Sequence, residues 1–145
     1  REMHHALRFA LAQFHIRAEL WQADQGSIQG TPFLCFQRRS PGDMVVQNVK
    51  IAGSAQRRKR GALLQHGSVL LGTSRHAPEL SSIGSELGIE LQFDELVGQW
   101  CQVITEQWGI KFQESKLGAS EIERAEELES EKFANIDWTR RQIRS

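Results

Sequence analysis

Cys35 and Lys50 are the two side chains in this sequence whose types and spacing point most directly to chemistry. Cys35 lies in Thr31-Pro32-Phe33-Leu34-Cys35-Phe36. A thiolate is a nucleophile, and a nearby cation favours the thiolate over the thiol. The apolar neighbours fit equally a buried, inert thiol that packs as a small hydrophobe. Lys50 opens Lys50-Ile51-Ala52-Gly53-Ser54-Ala55-Gln56. A lysine there enters a run of small residues, and Gly inside a strand often marks a place that a ligand or another backbone approaches closely. The run describes two things: an edge strand with a solvated lysine as gatekeeper, or a lysine aimed at an acyl carbonyl or a phosphate.

Other polar residues are less eloquent. Gln65-His66-Gly67-Ser68 interrupts a run of Leu and Val, where a histidine is more often a satisfied core side chain than a catalyst. Cys101, next to Trp100 in a helical pattern, reads as a packed small hydrophobe. His4, His5, His15 and His76 have no metal-ligand spacing, so no structural metal is expected. The run Arg57-Arg58-Lys59-Arg60 reads as a solvated turn, or more sharply as a docking patch for an acidic partner or a phosphate. Neither Gly-x-Gly-x-x-Gly nor a Walker sequence is present.

The elements that must position these residues follow from periodicity. Met3, Leu7, Ala10, Leu11 and Phe14 fall at helical spacing, which predicts a helix over 2–15. Residues 17–22 alternate as a strand does. Gly26, Gly30 and Pro32 punctuate a loop up to Cys35. Residues 43–46, 50–57 and 62–71 predict a three-stranded meander, turning at Gln47-Asn48 and again at the basic run and Gly61. Residues 74–91 read as loop with short helical pieces. Phe93, Leu96, Val97, Trp100, Val103, Ile104 and Trp108 predict an amphipathic helix ended by Gly109. Residues 110–112 predict a short strand. A last Glu-rich helix, from Ala119 or Ser120 to about Phe133, carries Ile122, Ala125, Leu128 and Phe133 on one face. Strands first and helices after predict an α+β fold.

Composition narrows the classes. With 145 residues, 39% of them hydrophobic and 25% charged, the chain has the balance of a folded domain rather than a disordered segment. Lys plus Arg and Asp plus Glu both number 18. That balance argues against a protein that coats nucleic acid or membrane. No apolar run approaches the roughly 18 residues of a spanning helix. Two cysteines make no disulfide framework, and a reducing, cytoplasmic setting fits. Charge is nevertheless uneven. Residues 38–60 hold seven cations against Asp43 alone, and residues 119–132 hold six Glu against Arg124 and Lys132. The first residue is Arg1, and the first segment reads like the middle of a helix, so a fragment is expected, or a chain whose N-terminal portion lies elsewhere.

The ordered series Cys35-Phe36, Gly42-Asp43-Met44-Val45-Val46, Lys50-Ile51-Ala52-Gly53-Ser54-Ala55-Gln56-Arg57-Arg58, Gly61 and Leu64-Gln65-His66-Gly67-Ser68-Val69-Leu70-Leu71 resembles the lipoate–protein ligase and octanoyltransferase family. The tail, with Lys132-Phe133 and Asp137-Trp138 after a Glu-rich helix, is similar to the ending of its cysteine-dependent octanoyltransferases. The resemblance runs from about Arg1 to Trp138 and covers the later half of a family member. It implies the biotin/lipoate protein ligase fold, a mixed sheet flanked by helices, with residues 1–145 forming a single partial domain that lacks the N-terminal half. The family's Arg-Arg-x-Thr-Gly-Gly segment, which builds much of the acyl pocket, is not found in the sequence.

By the same resemblance, Cys35 is the acyl acceptor and Lys50 contacts the acyl carbonyl. Gly53, Ser54, Ala55, Gln56, His66 and Gly67 line the substrate site. The implied activity is transfer of an octanoyl or lipoyl group through a cysteine thioester onto a lysine of a lipoyl domain, which requires no cofactor. Partners would be acyl carrier protein and lipoyl-domain proteins, such as the glycine-cleavage H protein or dehydrogenase acyltransferase subunits. Neither nucleic acid nor membrane is expected as a partner. One alternative is an ATP-dependent lipoate ligase with magnesium, in whose relatives the upstream cysteine is generally absent. The other is a non-catalytic remnant or binding subunit. With half a pocket, the 145-residue chain alone is expected to be inactive.

Overall fold

The structure, a computed structural model, describes residues 2–22 and 35–143. The loop predicted up to Cys35 falls largely outside them. Two compact units emerge, Arg1–Lys111 and Phe112–Ser145.

In the first unit, helix α1 (Glu2–Gln13) buries Ala6, Leu7, Ala10 and Leu11, the stripe its periodicity predicts. After it the chain enters a four-stranded sheet in the order β1 (Glu19–Leu20), β2 (Met44–Val46), β3 (Val49–Lys59), β4 (Ala62–Val69). The α+β class holds. All three pairings among the described strands are antiparallel, so the parallel component of the mixed sheet implied by the resemblance is not among them.

Two tight turns set the register. Val46 pairs with Val49 and Lys59 with Ala62, leaving two residues in each connection. Gln47 and Asn48 have φ of 48° and 66°, and Arg60 and Gly61 have φ of 50° and 80°. Two-residue hairpins of this kind need positive φ at both positions because their twist then matches that of the strands. The basic run is therefore divided. Arg57, Arg58 and Lys59 belong to β3, and only Arg60 stands in the turn.

A second feature of β3 is an irregularity. Met44 pairs with Ala52 while Val45 pairs with Lys50. One extra residue, Ile51, is thereby inserted into β3 as a bulge. Alternation breaks there, and Ile51 and Ala52, consecutive in sequence, are both fully buried.

The core joins this sheet to the helices. Met44, Val46, Ile51 and Ala52 pack in one cluster with Leu7, Leu11, Ile83, Leu96, Val103 and Ile104. Helix α2 (Ile83–Leu87) starts at Ser82, whose Oγ accepts a hydrogen bond from the Ser85 amide. Helix α3 (Phe93–Trp108) ends where its sequence says it should, at Gly109 with φ of 66°. A left-handed residue there satisfies a terminal carbonyl, here that of Thr105.

The strand predicted at 110–112 does not form. Ile110 and Phe112 are exposed, and no described strand pairs with them. In the second unit, α4 (Ala119–Leu128) buries no side chain. A single π turn, Glu129–Phe133, and α5 (Ile136–Ile143) follow. The Asn135 side chain accepts from the amides of Asp137 and Trp138 and so caps α5. The Phe133 and Trp138 rings meet edge to face at 5.4 Å, with the Lys132 ammonium over both. No helix among the described residues is long and apolar enough to cross a membrane.

Candidate functional site

Lys50 is not a solvated gatekeeper. It sits on β3, which is paired on both sides, and its side chain is only 10% exposed. The ammonium lies 2.8 Å from Asp43 Oδ2. It donates to the Arg38 carbonyl at 3.0 Å and stands 5.1 Å from the centre of the Phe36 ring. An ammonium removed from water needs such partners, because desolvation of an unpaired charge is costly.

Asp43, which its residue type alone does not mark as part of a site, is the partner of Lys50. It is buried, and its Oδ2 also accepts from the Ser40 amide at 2.7 Å. Its backbone is fixed as well, its carbonyl accepting from the Trp21 amide. His4 Nδ1, from α1, meets the carbonyl of neighbouring Gly42 at 2.6 Å. The carboxylate is thus held by contacts other than the lysine. The signal was present in the sequence, since Asp43 is the single acid among seven cations over residues 38–60.

The bulge explains how Lys50 reaches this place. Residues three apart on a regular strand point to opposite faces. The extra residue brings Lys50 and Gly53 together. A Cβ on Gly53 would stand 2.8 Å from Lys50 Cε, 3.1 Å from its Nζ and 3.2 Å from Asp43 Oδ1. The lysine tail therefore crosses over the missing side chain of Gly53.

Cys35 opens a single 3-10 turn, Cys35–Gln37, packed against β3. The turn also supplies Phe36, whose ring faces the Lys50 ammonium. Backbone placement thus puts the cysteine on the segment that encloses the lysine. The thiol itself lies outside the described side chains. Cys101, on α3, is half-buried and free.

A cavity of about 460 Å³ opens beside this centre between α1, β3, β4 and α3. Of the residues expected to line a substrate site, Gly53, Ser54, His66 and Gly67 do so. Ala55 and Gln56 do not. They lie farther out on β3, where the Gln56 side chain donates to that of Gln65. His66 is exposed, not a core histidine. The helical side of the cavity is apolar, with Leu96, Val97 and Trp100 from α3. The Trp100 indole N–H is buried and has no hydrogen-bond partner among the described residues.

Gly67 serves the sheet. A Cβ there would stand 2.5 Å from the Gly53 carbonyl oxygen and 2.8 Å from Ser54 Cβ. Backbone cannot swing aside as a side-chain tip can. Gly67→Ala is expected to destabilise the domain by about 1–3 kcal/mol, as overpacking does, and to lower its melting temperature measurably. A variant melting with the parent would show that the two strands can part without cost.

This antiparallel sheet, with a helical layer and a lysine-centred site at its bulge, defines an α+β domain with a cavity whose helical side is apolar. Comparison with known proteins makes the class specific. The chain matches the Biotin/lipoate A/B protein ligase family over residues 7–74. It is 30% identical over 128 residues to octanoyltransferase LipM of Clostridioides difficile, an alignment taking in 74% of this chain and 47% of that protein. Two solved structures share the fold. Lipoate-protein ligase A bound with ATP superposes with a TM-score of 0.70 at 20% identity, over 94% of this chain and 56% of that one. A bi-partite lipoate protein ligase of Thermoplasma acidophilum, described with its E2 lipoyl domain, gives a TM-score of 0.67 at 17% identity, over 94% and 55%. The chain therefore spans about half the length of these relatives.

Proposed function

We propose that residues 1–145 form part of the catalytic domain of an acyltransferase that moves an octanoyl or lipoyl group onto a lysine of a lipoyl domain through a thioester on Cys35. The observation that carries this reading is the buried Lys50–Asp43 pair, enclosed by the turn that begins at Cys35.

The Cys35 thiolate attacks the carbonyl of a donor thioester. A C–S bond forms, the carbonyl becomes a tetrahedral oxyanion, and the donor leaves as its thiolate. The neutral amine of the acceptor lysine then attacks the Cys35 thioester. A C–N bond forms, the amine gives up its proton, and Cys35 departs as thiolate. Exchange between thioesters is nearly balanced, and thioester to amide is downhill, so ATP is not consumed. Splitting the transfer into two attacks is covalent catalysis with ping-pong kinetics. Lys50, fixed by Asp43, supplies the positioned donor to each oxyanion. The donor in this reading is acyl carrier protein, and the setting is cytoplasmic.

The gene's full-length product, incubated with octanoyl-acyl carrier protein without ATP, should gain one octanoyl group. Hydroxylamine should remove it, and Cys35→Ser should abolish it. An adduct on Cys101 would sink the assignment. The ligase reading has support of its own in the ATP-bound structural relative. A strict requirement for ATP and magnesium with free octanoate or lipoate would establish it.

A further inference from the structure

The β3–β4 hairpin changes character along its length. Up to Ala52 it belongs to the sheet, since β2 reaches no farther than the Met44–Ala52 pair. Beyond that, β3 and β4 continue alone, from Ser54 opposite Gly67 to Lys59 opposite Ala62. Those six pairs extend roughly 20 Å at about 3.4 Å per residue. Every residue from Ser54 to Leu64 is exposed. A two-stranded ribbon has little stability by itself. This one is held by its rooted end.

Alternation sorts its side chains. Ala55, Arg57 and Lys59 share one face with cross-strand partners His66, Leu64 and Ala62. Arg58 and Leu63 lie opposite each other on the other face. Leu63 and Leu64 are 52% and 61% exposed. Residues 50–69 contain no acid, and none of Arg57, Arg58, Lys59 or Arg60 forms an ion pair among the described residues. Cations flanking exposed leucines have the composition of a protein-binding surface, where Arg is enriched beside apolar contact. A strand binder of nucleic acid would add aromatic rings for base stacking, and the ribbon has none.

We propose that this ribbon is a docking arm for the acidic surface of the acceptor lipoyl domain. Naming the acceptor rests on the acyl-transfer reading. The arm's root supplies His66 to the cavity wall, so a partner seated along it is guided to the site. Charge fixes which partner. An acceptor brings one lysine into a region already crowded with cations. Carboxylates around that lysine offset the repulsion and supply the counter-charges that Arg57, Arg58 and Lys59 lack. The lipoyl domain described with the bi-partite relative is of the same class.

The test uses the gene's full-length product and an isolated apo lipoyl domain as probe. Arg57→Gln, Arg58→Gln and Lys59→Gln are combined, leaving Arg60 and Gly61 to keep their turn. The association rate is expected to fall about tenfold or more at low salt and to lose most of its salt dependence. Arg57→Lys with Arg58→Lys, which keeps the charge, should bind nearly as the parent does. Acylation of Cys35 by octanoyl-N-acetylcysteamine, a small uncharged thioester, should not change in the triple variant. Parent-like association of that variant overturns the proposal. So does a loss confined to acyl carrier protein or to duplex DNA as probe. A parent that binds the lipoyl domain through the arm but forms no acyl-Cys35 upholds the docking surface and removes the transfer reading instead.

Discussion

Lys50→Met combined with Asp43→Asn should fold nearly as well as the parent and acylate Cys35 about 10²–10³ times more slowly, the usual loss for one positioned oxyanion donor. The double variant is needed because the single one confounds two effects. Lys50→Met alone leaves the Asp43 carboxylate buried without its cation. Breaking a buried pair in this way typically costs about 3–5 kcal/mol, enough to unfold a marginal domain. Replacing both partners removes the stranded charge, and the Ser40 amide keeps an acceptor in the asparagine oxygen. Lys50→Arg keeps the charge but offers a broad planar group in place of a compact one. Hemmed in by Asp43, Phe36 and the Arg38 carbonyl, it should also lose most activity. Thermal melts alongside single-turnover acylation separate stability from chemistry. Acylation at the parent rate in a folded double variant would remove Lys50 from the mechanism.

Gly53→Ala is expected to leave the melting temperature within a few degrees of the parent and to depress acylation at least tenfold, if a displaced lysine behaves as a partly lost oxyanion donor. What a new Cβ meets there is Lys50 Cε, Lys50 Nζ and Asp43 Oδ1, the far ends of side chains. They move aside cheaply, and the ammonium leaves its position in doing so. The contrast with Gly67 makes the test sharp. One glycine yields an active-site defect in a sound fold, whereas the other yields a weakened fold. If Gly53→Ala also melted far below the parent, the close approach would involve the sheet as well.

Much of the architecture could be read from periodicity. The stripe of α3 and its terminal Gly109, the α1 face and both hairpin turns are local signals, and local signals survive in sequence. The strand predicted at 110–112 failed for a non-local reason: an apolar triplet forms a strand only where another strand accepts it. Charge suits turns, so the basic run reads as one in the sequence. Three of its residues are instead in β3, which tolerates them because the outer ribbon has no buried face. At the site, Lys50 and the glycines were legible as types and as a resemblance. Their geometry was not, because it depends on a bulge at Ile51 and on a carboxylate seven residues upstream, which only the β2–β3 pairing brings near. Ala55 and Gln56 belong to the same motif yet lie beyond the cavity, since a contiguous motif on a strand outruns a compact pocket.

The inserted residue at Ile51 makes this segment behave like a gear with a set number of teeth. Substitutions there change what a tooth is made of. Straightening the strand with every tooth kept would set Lys50 and Gly53 three apart in regular alternation, on opposite faces, and reverse every side chain that follows. The residue count and the bulge are therefore tied together at the root of the hairpin, and neither changes alone without a change of phase. At the outer end, adding or removing a cross-strand pair alters only the reach of the ribbon and keeps the phase of everything behind it. Natural or engineered variants of this domain are accordingly free in the length of the arm and bound to keep count and bulge matched between its first turn and its first glycine.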